Sequence, residues 1–113
     1  MKKISTILSL VLIVSCSVNK MLTPSQADAD RGSQKFSGLT LNELKEGKAL
    51  YKDNCGMCHM LFEPNSRGEE GWNDIVPPMV DKVNKKAGHE ELDKKMQDKI
   101  LKYLVVMSAK KAS

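Results

Sequence analysis

The segment Tyr51-Lys52-Asp53-Asn54-Cys55-Gly56-Met57-Cys58-His59-Met60 holds two cysteines separated by two residues, with a histidine directly after the second. Three chemistries use such a cluster: a thiol–disulfide pair, half of a zinc site, or a covalently attached haem. Zinc normally takes four protein ligands in a structural site. The only other histidine, His89, leaves the set one short, and no third cysteine is near. A thioredoxin-type pair opens a helix in an alternating strand–helix pattern, and no strand-like alternation runs through this chain. C-x-x-C-H is the haem-attachment signature. Its two thiols add to the two vinyl groups of the porphyrin, and the adjoining histidine becomes the proximal iron ligand. The sequence therefore predicts one haem c, bonded to Cys55 and Cys58 and ligated by His59.

The chain must deliver that motif to an oxidising compartment. Lys2 and Lys3 precede an apolar run from Ile4 to Val14, which reads as the n-region and h-region of a secretory signal. About a dozen apolar residues are too few for a mature membrane span. The run ends in Ile13-Val14-Ser15-Cys16, which resembles the lipobox of bacterial lipoproteins. That resemblance implies a signal at 1–15, cleavage before Cys16 and acylation of its thiol. Several acyl chains give stable anchoring where one is marginal. Ser17, in place of the aspartate of the familiar retention signal, points to an outer membrane where one exists, with the protein facing the periplasm. With Cys16 assigned to lipid, only the motif's two cysteines of the chain's three remain.

Charge adds little. Eighteen basic residues face fourteen acidic ones, and removal of Lys2 and Lys3 leaves sixteen. A haem's two propionates offset that excess, so the pI near 9.0 is no argument for nucleic acid, and no aromatic-interleaved basic patch supports one.

Residues 16–39 are polar, with Pro24, Gly32 and Gly38 and no sustained periodicity; they are expected to form a lipidated, flexible tether. The folded unit is expected at 40–113. Its core is small enough to need a staple, a role suited to a large apolar group bonded to the chain. About three helices are expected. Thr40-Leu41-Asn42-Glu43 fits a capping box and opens the first, which runs into the motif with Leu44, Gly47, Lys48 and Tyr51 on one face. A second, shorter helix follows Gly71, with its first turn or a break expected at Pro77 and Pro78. The third carries Leu92, Met96, Ile100, Tyr103, Leu104 and Met107 at helical spacing, with charges of alternating sign outside. The fold class is all-α.

Gly47-Lys48-Ala49-Leu50-Tyr51, the C-x-x-C-H motif and Ile100-Leu101-Lys102-Tyr103-Leu104 together resemble a small bacterial class I, monohaem cytochrome c. The resemblance implies that the first and last helices cross at Gly47, around one haem. It also implies methionine sulfur as the distal ligand. Met57 and Met60 adjoin the proximal ligand, Met21 is in the tether, and Met96 and Met107 belong to the apolar stripe. Met79, in Ile75-Val76-Pro77-Pro78-Met79, is the expected ligand; an ordinary core role for it stays open, and His89 is the runner-up. Trp72 is expected either to pack on the haem with its N–H to a propionate or simply to be buried. Pro64 resembles the family's proline, whose carbonyl accepts the proximal ring N–H.

An iron with both axial positions filled passes single electrons with little reorganisation. The expected function is an electron carrier between respiratory partners such as an oxidase or reductase, not an enzyme. The alternatives are a haem-based gas sensor, or a fixed haem subunit of a larger oxidoreductase. The lysines at 82, 85, 86, 94, 95, 99 and 102 read as a solvated surface, interleaved as they are with acids.

Overall fold

The computed structural model describes residues 21–56 and 60–110. The signal at 1–15, Cys16, Cys58 and His59 lie outside the described residues. Within these, the chain is all-α, in the order α1 (Gln26–Ser33), α2 (Leu41–Cys55), a 3-10 turn (Pro64–Ser66), α3 (Glu69–Ala87) and α4 (Lys94–Ser108). This matches the expected fold class, with four helices in place of three.

The most extensive helix contact is between α2 and α4, and Gly47 sets its closeness. A Cβ built at Gly47 would stand 2.8 Å from the Lys99 carbonyl carbon and 2.9 Å from the Tyr103 Cβ. Only a residue without a side chain allows the two backbones to meet there. Leu44, Tyr51, Ile100, Tyr103 and Leu104 fill the core around the crossing. Two ion pairs bridge the same helices at its rim, Lys99 with Glu46 and Lys102 with Glu43 at 2.8 Å. Thr40 caps α2 as expected, its hydroxyl accepting from the Glu43 N–H at 3.1 Å. Glu43 does not close the capping box, because its carboxylate is drawn across to Lys102.

The expected tether is corrected by the structure. Ser25 and Asp28 form a capping box that opens α1, and Ala29 is buried. Gly32 lets α1 lie against α4: a Cβ there would come within 2.7 Å of Val106 and 2.6 Å of Leu39. Arg31 donates to the Val106 carbonyl at 3.0 Å, satisfying one of the acceptors that a helix end leaves open. Before α1, the Leu22 carbonyl accepts from the Tyr103 hydroxyl at 2.7 Å. So residues 21–39 belong to the packed unit, which was expected to begin at 40. The composition hides it because α1 packs through alanine and glycine and is fastened by polar bonds, not by an apolar stripe.

The expected short, broken second helix is also corrected. At nineteen residues α3 is the longest, and it runs through Pro77 and Pro78. The carbonyls their missing N–H groups leave unpaired belong to Asn73 and Asp74. All four residues are exposed, so those acceptors face solvent. Trp72, Val76 and Val80, spaced four apart, carry the buried face. Gly88, at φ 76°, ends α3 in the left-handed conformation. The Asn84 side chain then holds both backbone groups of Leu92, at 2.8 and 3.0 Å, and turns the chain into α4.

Gly47→Ala is expected to destabilise the holoprotein by about 1–3 kcal/mol or more through overpacking. Gly68→Ala, with nothing within 4 Å of the new methyl, is expected to cost far less; denaturant titration of both checks this. A second expectation concerns Asp28. Burial alone would raise its pKa, but hydrogen bonds from Ser25 and Arg31 and the charge of Lys110 together hold it below the ordinary 3.8. Its stabilisation is therefore full above pH 3.8 and lost as pH falls through the depressed folded value. Asp28→Asn should flatten the acid limb of the stability–pH curve in that range and leave its neutral-to-alkaline shape unchanged.

Candidate haem site

The motif begins inside α2. Cys55 is the helix's last residue and is buried, on the same face as Leu44, Gly47 and Tyr51. A cysteine at this register faces the core because three- and four-residue steps return a helix to one face. Gly56 then ends α2, and a Cβ there would stand 3.2 Å from the Lys52 carbonyl and 3.4 Å from Leu61.

Beyond the motif the chain is tied back to the same core. The Tyr51 hydroxyl donates to the Phe62 carbonyl at 2.8 Å. Burial pushes the Tyr51 phenol up to about 12, so it remains a donor across the physiological range. The Trp72 indole N–H donates to the Pro64 carbonyl at 2.7 Å. Both Trp72 and Pro64 are fully buried. The three aromatics are themselves in contact: Tyr51 meets Trp72 edge-on, with centroids 6.1 Å apart, and Tyr103 at 6.4 Å. The described chain is thus tied to the core on both sides of residues 57–59, by α2 before them and by two hydrogen bonds after them.

Trp72 is buried, with its indole N–H on the Pro64 carbonyl. Pro64 presents its carbonyl to Trp72; that oxygen keeps a second lone pair. Met79 lies mid-way along α3, half-buried and packed against the core cluster. Met107 is fully buried in the core, while Met96 is half-buried at its edge. His89 sits on the surface between α3 and α4, its ring nitrogens 3.1 Å from the Ala87 carbonyl and 2.8 Å from Glu91.

One residue that sequence reasoning missed is Arg67. Its guanidinium lies over the Phe62 ring at 5.1 Å and the Trp72 ring at 5.9 Å, which pins the post-motif segment on its outer side. A lone arginine between two aromatics five residues to either side was the available signal. Among the lysines read as solvated, Lys99 and Lys102 are committed to ion pairs.

The donor set fits a covalent haem. Cys55 is held at a helix end, and the motif's exit is fastened. Apolar groups beside the motif are left incompletely covered, with Phe62 at 45% and Met60 at 80% exposure. Leu50, Leu61, Met79 and Met96 are half-buried around the core. These are surfaces that a flat apolar macrocycle would cover.

The profile of one protein family, dihaem cytochrome c, matches residues 51–113, more than half of the chain. This chain belongs to the dihaem cytochrome c family. Membership implies a covalently bound c-type haem and haem-based electron transfer. No curated protein and no solved structure matches the chain.

Trp72→Phe deletes the indole donor and leaves the buried Pro64 carbonyl unpaired. The expected loss is about 1–3 kcal/mol. It should be accompanied by a change in the haem absorption or circular dichroism in the Soret region, because the segment after His59 loses one of its two ties. A variant that lowered stability without moving that signal would separate Trp72 from the placement of the haem.

Proposed function

We propose that this cytochrome carries single electrons through one haem c per chain, bonded to Cys55 and Cys58, with His59 and Met79 as the iron ligands. The observation that carries the reading is the sequence count. The chain has three cysteines and a single C-x-x-C-H, and the family match spans it. Two thioethers hold one haem, and Cys16, far outside the match, is reserved for lipid. The family's description names two haems; one attachment motif argues for one here.

The bound haem supplies a one-electron couple, ferrous to ferric. The protein's contribution is to hold the ligands still and to exclude water. Tyr51, Trp72 and Arg67 keep the post-motif segment in place, which limits reorganisation about His59. Met79 projects from a helix locked by Trp72, Val76 and Val80, and not from a loop. A thioether donor on a rigid helix suits an iron that must change charge without changing ligands. Acylation of Cys16 places the carrier at a bacterial membrane, facing the periplasm, with respiratory redox proteins as partners.

Haem retained in acidified organic solvent is the expected result for the thioether pair; extraction of the haem refutes covalent attachment. For Met79→Ala the expected result is loss of the ferric sulfur-to-iron charge-transfer band, a lower midpoint potential and new carbon monoxide binding. Met96→Ala should keep the band. If Met79→Ala keeps both band and potential, another group is the ligand. If the wild type binds carbon monoxide readily, the sensor reading replaces the carrier.

A further inference from the structure

The stretch expected to be a long tether is mostly consumed by the fold. Met21 and Leu22 pack against the core, and Tyr103 fixes the Leu22 carbonyl at 2.7 Å. Thr23 accepts from the Lys48 ammonium at 2.9 Å, and α1 is secured by Asp28, Arg31 and Lys110. Between Cys16 and Met21 stand only four residues, Ser17, Val18, Asn19 and Lys20. Whatever their conformation, five residue steps reach no further than about 17 Å. A 24-residue tether, Cys16 to Leu39, would have reached several times as far.

The place where the chain enters the fold has a distinct chemistry. Thr23 is bonded to Lys48, and Lys45, Lys48 and Lys52 are spaced three and four apart, on one flank of α2. Lys45 and Lys52 are exposed, and Lys48 is half-buried. Burial and then the charge of Lys52 hold the Lys48 pKa below its ordinary value, consistent with cations that are close together and unneutralised. Among the described residues, none of the three is in an ion pair, in contrast to Lys99 and Lys102 on the α4 side. Of the three acids of α2, Glu43 and Glu46 are committed to α4, and Asp53, exposed, follows Lys52 without an ion pair to it. A row of lysines that no ion pair neutralises, beside a short anchor, is complementary to an anionic phospholipid surface.

We propose that the cytochrome is held directly on the membrane that carries its lipid, with the Lys45–Lys48–Lys52 flank of α2 against anionic phosphate headgroups. The inference rests on acylation of Cys16, proposed above. Its consequence is that the protein reaches partners in or on that same membrane, and does not sweep a wide volume around its anchor.

The test uses the acylated holoprotein on a supported bilayer of phosphatidylethanolamine and phosphatidylglycerol, profiled by neutron reflectometry. The wild type is expected as a thin layer abutting the headgroups. A flexible Gly/Ser insertion of about twenty residues between Val18 and Asn19 should move the layer outward and broaden it. Lys45→Glu with Lys52→Glu, both at exposed positions, should lift protein density away from the headgroups without releasing the protein. A wild-type layer as distant and broad as that of the insertion variant overturns the proposal. An unchanged layer in the double variant overturns the lysine contact. Mass spectrometry of the mature N-terminus separates the two readings: an unmodified Cys16 and a protein missing from the membrane defeat the anchor, and this inference with it.

Discussion

Everything in this small fold depends on how closely α2 and α4 approach at Gly47. With the backbones in contact there, Tyr51 and Tyr103 are forced into the same core layer, and the ion pairs of Glu43 and Glu46 reach across at the rim. Cys55 lies eight residues beyond Gly47 on the same helix, about 12 Å along its axis. The orientation of α2 about the crossing therefore fixes where the Cys55 sulfur points. A shift of one residue at the crossing would rotate Cys55 by about 100° and turn it out of the core.

From this crossing the support of the site spreads in both directions. Tyr51 lies between Gly47 and Cys55 and carries the hydroxyl that holds Phe62. Trp72 packs edge-on against Tyr51 and holds Pro64. The segment that follows residues 57–59 is thus anchored to two helices by aromatic side chains whose polar tips bond to backbone. That use of tyrosine and tryptophan, apolar body in the core and polar end on a loop, is economical in a domain with so little core to spare. Leu50, Leu61, Phe62, Met79 and Met96 are among the apolar groups only partly covered by protein.

Much of this was legible in the sequence. The stripe from Met96 to Met107 and the Gly47–Tyr51 spacing are periodic signals, and each became a helix face in the expected place, whereas Leu92 lies in the connection just before α4. The attachment motif needed no structure at all. What the sequence concealed follows from physics that leaves no periodic trace. Helix α1 is made of small and polar residues, and its attachment is a buried carboxylate with a set of hydrogen bonds. Val106 buries against Gly32 of α1. Pro77 and Pro78 are tolerated because both fall on the wet side of α3, an orientation known only once Trp72 and Val80 are seen to face inward. Glu43 had two partners within reach, and tertiary charge outcompeted the local cap.

The central claim is that this member of a dihaem family binds one haem per chain, through Cys55 and Cys58. The intact mass of the mature protein, produced with a cytochrome c maturation system and read under denaturing conditions, tests it most directly. The account predicts the mass of the processed chain plus one haem, and loss of that haem in Cys55→Ala with Cys58→Ala. A mass corresponding to two haems, or to a haem-free chain two hydrogen atoms lighter from a Cys55–Cys58 disulfide, would contradict it.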